Sequence, residues 1–467
     1  MISFLILACG VCVIPLFSLF PVRKGFFAFF ALFLLTAAFF INFVLPDDLG
    51  YVSRIFFFDD LGRFFNSLFL FISIMVGVFA ADRVKNRELV FYTMLLAGTS
   101  AMMIIASSKN LIGVFIGLEL LSLSFYELCA LRKDGGGLEA TAKLFFMSVF
   151  SSIFFIAGAV LVYNESHTFD IKMFLTFSHS PLFITGLAFI LGGLSFKMSI
   201  FPFNIWLPDV YQGAPSEVTA LLSGSSKKAG FAAFIRLLPP FFAKSPGAAL
   251  GASAFIFFSV LAWLSVLTMS FGNILASIQT NAKRMIAYSI IAHAGFLVMG
   301  LAAGNPLGYL GLLFHILIHA LMATGVFLII AFLEQESIVE LDDYNGLGKR
   351  APLVSSFLTL FLLSLTGIPP LAGFISKFIL WSGAVQAGFM WLAVAAIINS
   401  ALSTYYYFLI LRRIWGFPAV GISPIPALTG NQLFAIGVPA FLIVLLGVYP
   451  NPALQYLGHV IELTIRF

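Results

Sequence analysis

The sequence predicts an all-α polytopic membrane protein of about fourteen transmembrane helices, organised as two inverted five-helix repeats. Three observations lead there. The 467-residue chain is 61% hydrophobic and 10% charged, with a mean hydropathy of +1.06, a composition that water cannot solvate. Its apolar runs recur at the ~20-residue length that one bilayer crossing requires. Two of those runs are interrupted by prolines and glycines at matching places in the two halves, as expected of discontinuous helices in an inverted repeat.

Taken in order, the apolar runs predict crossings over residues 2–20, 25–45, 64–81, 89–107, 111–131, 140–163, 182–205, 217–239, 249–278, 285–304, 306–333, 353–384, 388–411 and 431–449. Spans four to eight form the first repeat, within residues 89–240, and spans nine to thirteen the second, within 249–416. That assignment pairs span seven with span twelve. A three-helix segment, 1–88, precedes them, and a C-terminal helix and tail, 431–467, follows. The first run has neither a basic leader nor a small-residue cleavage site, so it reads as a retained crossing rather than a signal peptide.

Orientation follows from the basic residues. Loops after odd-numbered spans carry thirteen: Arg23, Lys24, Arg83, Lys85, Arg87, Arg132, Lys133, Lys283, Arg284, Lys349, Arg350, Arg412 and Arg413. The other side carries seven: Arg54, Arg63, Lys109, Lys172, Arg236, Lys244 and Arg466. The positive-inside rule then places odd loops in the cytoplasm and both termini outside. The remaining five, Lys143, Lys197, Lys227, Lys228 and Lys377, fall inside apolar spans, so the net charge of +5 is no nucleic-acid footprint. Cys9, Cys12 and Cys129 lie in apolar runs without a second ligand pair and read as helix-packing residues.

The breaks are specific. Pro202 and Pro208 interrupt span seven in KMSIFPFNIWLPDVYQGAPSEV; Gly367, Pro369, Pro370 and Gly373 interrupt span twelve in LTGIPPLAGFISKF. A proline inside a helix removes one hydrogen bond and clashes with the preceding turn, and at membrane depth the freed carbonyls must face protein or water. Kinks that serve packing alone are the competing explanation.

Buried ionisable residues give the functional signal, since each costs at least ~2.5–3.5 kcal/mol at the bilayer centre. Glu119 is central in span five with no basic partner within a turn, and Lys197 is its natural counter-charge; a static ion pair between two helices is the alternative. Lys227 lies among Ser223, Ser225 and Ser226, hydroxyls suited to holding water. Lys228 is ~100° further round the helix and ambiguous. Lys377 has apolar neighbours on both sides and reads either as a buried proton carrier or as a snorkelling side chain. His315 and His319, four apart in span eleven, and His293 in span ten suit a proton relay, packing or a metal pair lacking a third ligand. Glu139 and Lys143 form an ordinary i, i+4 pair, and the acidic run from Glu334 to Asp343 reads as a solvated loop.

The stretch GLSFKMSIFPFNIWLPDVYQGAPSEVTALLSGSSKKAGF, with QTNAKRMIAYSIIAHAGF and LTGIPPLAGFISKF, resembles the antiporter-like membrane subunits of bacterial proton-pumping NADH:quinone oxidoreductase, respiratory complex I, over about residues 90–420. The resemblance implies fourteen helices, two inverted repeats and a proton path. It makes Glu119 the family's fifth-helix glutamate, Lys197 its partner, Lys227 the central lysine and Lys377 the terminal one. Lysine rather than glutamate at that last position favours the subunit N branch. HILIHALMATGVF departs from the pattern, with Ala323 where related subunits place a lysine four residues after the second histidine.

The expected function is therefore proton translocation in the membrane arm, beside subunits M, L, K, J, A and H, with FMN, iron–sulfur clusters and quinone carried by other subunits. This chain has no Gly-rich dinucleotide loop, iron–sulfur cysteine set or haem ligand, so electrons are expected to travel elsewhere, and no cofactor or metal is expected on it. A multisubunit sodium/proton antiporter subunit, a related F420H2 dehydrogenase or hydrogenase subunit, and a pumping-dead scaffold are the competing readings.

Overall fold

The computed structural model describes residues 2–21, 23–44, 56, 59–84, 87–176, 180–237, 252–418 and 425–465. Arg54, Lys85, Lys244 and Arg466, used above for orientation, lie outside them. The helices are α1 (Ile2–Phe17), α2 (Phe26–Val44), α3 (Asp60–Ala80), α4 (Glu88–Ser107), α5 (Leu111–Ala130), α6 (Gly135–Ser166), α7 (Pro181–Met198), α8 (Trp206–Gly213), α9 (Ser216–Leu221) and α10 (Lys227–Leu237). They continue as α11 (Ala252–Ser277), α12 (Ala282–Ala303), α13 (Pro306–Gln335), α14 (Pro352–Thr366), α15 (Ala372–Gln386), α16 (Met390–Gly416), α17 (Gly430–Val448) and α18 (Asn451–Ile465).

Local sequence explains where these helices start. Asp59, Asn110, Asp134, Ser180, Asn281, Asn305 and Thr429 each accept a backbone N–H of the first turn, satisfying donors that the helix itself leaves open. Pro181 and Pro306 occupy the first helical position, where a missing N–H costs nothing. Among the described residues eleven helices are long and apolar enough to cross a membrane, and the shorter apolar helices α1 and α14 lie where two more of the fourteen crossings are expected.

Both expected breaks are present. α7 stops at Met198, Ser199 turns left-handed at φ 58°, and the chain re-enters helix at Trp206. α14 stops at Thr366, Gly367 takes φ 89°, and helix resumes at Ala372. In each case a cis-proline, Pro202 or Pro370, follows the left-handed residue by three positions. A third interruption lies in span eight, where a π-helical turn over Leu222–Ser226 ends just before Lys227. LLSGSS is rich in serine and glycine, residues that tolerate such a turn, but hydropathy does not register it.

The chain divides into two units. The first comprises Met1–Ser199, Ser225–Ala249 and Leu463–Phe467; the second comprises Ile200–Gly224 and Leu250–Glu462. The expected repeat boundary near 240–249 lies outside the described residues; residues 200–224 pack in the second unit, α8 on α12 and α9 on α13. Each unit repeats one further device. In the first, Leu111 N–H donates to the Phe169 carbonyl and Ile171 N–H to the Lys109 carbonyl. In the second, Ala282 N–H donates to Val339 and Leu341 N–H to Thr280, so that the capping asparagines Asn110 and Asn281 are pinned in the same way.

Small residues let helices approach where lipid gives no hydrophobic drive. A Cβ on Gly158 would stand 2.4 Å from the Gly186 carbonyl across α6 and α7, and one on Gly272 2.5 Å from Ala292 N across α11 and α12. Large apolar side chains such as Phe29, Phe40, Phe146 and Trp263 point outward, the face expected toward acyl chains. Cys9 and Cys12 also face outward from α1, whereas Cys129 is buried. α12 and α13, which carry the three histidines, are the most enclosed, with 94% of each apolar window buried.

Candidate functional site

In the first unit the charges meet through hydroxyls. Lys197, in the last turn of α7, is 7% exposed, and its Nζ donates to Ser122 Oγ on α5 at 3.1 Å. Ser122 Oγ lies 2.8 Å from Ser148 Oγ on α6. One turn along each helix, Glu119 accepts a short hydrogen bond from Ser152, whose hydroxyl also lies 3.0 Å from the Ser148 carbonyl. Glu119 and Lys197, expected as a close pair, make no direct ion pair among the described residues. α6 packs against both α5 and α7, and its two serines stand between the charges.

Lys227 opens α10 immediately after the π-turn and is 4% exposed; Lys228 is buried as well. Ser223, Ser225 and Ser226 around it are buried too. One turn later, a Cβ on Gly230 would meet Met198 Cγ at 2.9 Å and Lys197 Cβ at 3.5 Å. The glycine therefore sets α10 against the end of α7, with the two lysines on helices in close approach.

The second unit holds Lys377, 1% exposed, which excludes the snorkelling alternative. Its Nζ donates to the Leu365 carbonyl at 2.9 Å, the Thr366 carbonyl at 3.0 Å and Ser400 Oγ at 3.0 Å. An ammonium has three N–H donors, and all three are used. Leu365 and Thr366 end α14, where carbonyls lack helical partners and the helix dipole is negative, so the break itself builds the cation's cradle. Phe296 faces the amine at 5.0 Å from its ring centre.

Next to it the histidines form a series. His293 Nδ1 lies 3.1 Å from His315 Nε2, and His315 Nδ1 lies 2.9 Å from Ser376 Oγ, one residue from Lys377. Tyr407 Oη approaches His293 Nε2 at 3.4 Å. The His319 ring tilts over His293, with centroids 4.8 Å apart. The facing nitrogens of His293 and His315 are thus hydrogen-bonded to each other. Sequence spacing placed His315 and His319 on one helix face, whereas packing brought His293 to them, and Ser376, Ser400 and Tyr407 gave no signal, being hydroxyls in runs that already contain many.

One expectation about charge requires correction. Lys283, counted as a loop cation, is 3% exposed; its Nζ donates to the Ala214 carbonyl at 2.7 Å and pairs with Glu334 at 3.2 Å. Contacts far apart in sequence decide this, and hydropathy cannot see them. The acidic run is solvated as expected, with Glu336, Glu340 and Asp342 exposed; within it Glu340 and Asp343 form a capping box, Asp342 pairs with Arg413, and the partly enclosed Glu334 also accepts a short hydrogen bond from Ser216. Glu139 and Lys143 also form the expected partly exposed pair, at 2.6 Å. Lys283 ties the α8–α9 elbow to α12 and α13. Lys283→Met, which leaves Glu334 without its cation, is expected to cost ~3 kcal/mol, read as a lowered thermal midpoint of the purified protein, with Lys283→Arg retaining most of the stability.

A family model described as "NADH:quinone oxidoreductase/Mrp antiporter, TM" matches residues 108–403. The chain belongs to this family. The family's matched region contains Glu119, Lys197, Lys227, the three histidines and Lys377. Among relatives, NADH-quinone oxidoreductase subunit N of Moorella thermoacetica is 36% identical over 408 residues, covering 85% of this chain and 84% of that protein. F(420)H(2) dehydrogenase subunit N of Methanosarcina mazei is 35% identical over 414 residues, covering 85% and 82%. A chain of respiratory complex I from Thermus thermophilus with bound aureothin superposes with a TM-score of 0.81 at 29% identity, covering 97% of this chain and 98% of that one. The Mrp complex from Dietzia sp. shares the fold, with a TM-score of 0.86 at 19% identity.

Proposed function

We propose that this chain is a redox-inactive, proton-translocating membrane-arm subunit of a bacterial NADH:quinone oxidoreductase, of the subunit N type. The observation that carries the reading is the Lys377 ammonium, held by two carbonyls of a helix terminus and the Ser400 hydroxyl at a break inside an apolar span. Holding a cation there is costly, and ionisable residues kept inside membrane spans mark ion or proton paths. Glu119 and Lys197 act as a switch linked by hydroxyls, Lys227 as the central carrier, and Lys377 as the exit-side carrier, with His293, His315 and His319 as relay. Quinone reduction at other subunits, which also hold the FMN and iron–sulfur clusters, drives the shift. The site lies within two inverted repeats, over residues 89–240 and 249–416, a reading supported by the paired breaks and the paired asparagine pins. Subunits M, L, K, J, A and H are its expected partners, and both termini face out of the inner membrane.

The similarity to the F(420)H(2) dehydrogenase subunit supports a second reading that differs only in electron donor. Both are tested with Lys227→Ala in the assembled complex reconstituted in vesicles. Electron transfer should persist while acidification falls to about a tenth or less. Full acidification would overturn the carrier role, and a complex lacking flavin and iron–sulfur proteins that exchanges sodium for protons would overturn the complex I reading.

A further inference from the structure

Donor roles in the histidine series follow from counting hydrogens. Ser376 has one hydroxyl hydrogen and lies 2.9 Å from the Gly373 carbonyl, which can only accept. With that hydrogen given to Gly373, His315 Nδ1 must be the donor toward Ser376. A neutral imidazole carries one N–H, so His315 Nε2 then accepts from His293 Nδ1–H. His293 Nε2 in turn accepts from the Tyr407 hydroxyl. This polarity satisfies all four contacts, whereas the opposite one keeps three and loses the bond to Gly373.

We infer that Tyr407 is the loading end of a polarised proton chain that runs through His293 and His315 to Ser376. The inference deepens the proposed function and rests on it. Tyr407 is fully buried and sits beside the hydroxyls of Ser289 and Tyr406, and Tyr406 donates its own hydrogen to Asn273 Oδ1 at 2.9 Å. Passage balances as follows. A proton bonds to Tyr407 Oη as the original phenolic proton moves to His293 Nε2. The His293 Nδ1 proton moves to His315 Nε2, and the His315 Nδ1 proton moves to Ser376 Oγ. The original Ser376 hydroxyl proton leaves to a water or neutral amine base. One proton enters, one leaves, and no electron moves. Both rings end as the Nε2–H tautomer, so both must return to the Nδ1–H form before the next proton enters.

The test uses the intact complex with 15N-histidine labelling. Difference spectra against a His315→Gln complex isolate the signals of that ring. His315 is expected to be protonated at Nδ1 and bare at Nε2 in the resting state, the less common tautomer in water. Tyr407→Phe is expected to assemble, to keep this tautomer and electron transfer, and to lose about tenfold in proton pumping. Protonation of His315 at Nε2, or wild-type pumping by Tyr407→Phe, would overturn the inference. A Lys377→Ala control separates the two levels. If it pumps normally, the proton-carrying reading fails and the chain with it; if it does not pump while Tyr407→Phe does, only the loading end is overturned. Should Tyr407→Phe fail to assemble, the tautomer of the unmodified complex decides.

Discussion

Replacing Lys377 with methionine is expected to leave the complex assembled and oxidising its donor while proton pumping falls below about a tenth of its normal level. Methionine fills nearly the same volume and keeps the apolar stem packed, so the change removes the amine without opening a cavity. What it takes away is specific. The carbonyls of Leu365 and Thr366 and the hydroxyl of Ser400 lose the single group on which all three converge. Those carbonyls end a helix and tolerate water, so the expected stability loss is ~1 kcal/mol, far short of unfolding. Lys377→Arg tests geometry against charge. Arginine keeps the cation but presents a planar five-donor fork to a cradle shaped for a compact ammonium, and it does not deprotonate, so pumping should remain low. Initial rates of vesicle acidification, divided by rates of donor oxidation and checked against complex content on native gels, provide the measurement. A scaffold role predicts an unchanged ratio in both variants.

Gly373→Ala is expected to have the largest structural effect. A Cβ at this position would lie 1.8 Å from the Ser364 carbonyl oxygen and 2.7 Å from its carbon, and backbone cannot yield as a flexible side-chain tip can. α15 would have to move away from the end of α14. Overpacking of this kind costs ~3 kcal/mol or more. The displacement also separates Lys377, on α15, from Leu365 and Thr366, on α14, so a methyl group that touches no charged atom should impair both assembly and pumping. Thermal stability and subunit content of the purified complex measure the first effect, and vesicle acidification the second. Gly388→Ala serves as a control, because a Cβ there meets nothing within 4 Å although its φ of 84° makes the change mildly strained. Normal assembly of Gly373→Ala would show that the α14–α15 contact does not set the cradle.

The contrast between these residues shows what a linear pattern can carry. The crossings were legible because ~20 apolar residues are needed per crossing wherever a helix ends up. The two breaks were legible because proline removes a hydrogen bond regardless of surroundings. The π-turn before Lys227 was not, since its sequence has neither a proline nor a change in hydropathy. Lys283 looked like a loop cation because it follows a polar run, and only the approach of α8, α9 and α13 encloses it.

The sequence by itself determined that this protein lies in a membrane, where its helices break and which titratable side chains are held in apolar surroundings. Length, hydropathy and proline chemistry are local properties, and they act before any helix meets another. The tertiary structure decided what each charge touches. It replaced the expected Glu119–Lys197 contact with serines of α5 and α6, turned the end of α14 into a cradle for Lys377, and joined Tyr407, His293, His315 and Ser376 into one series. Hydrogen bonds form only over ~3 Å, and Tyr406 and Asn273, 133 positions apart, reach that range through helix packing alone.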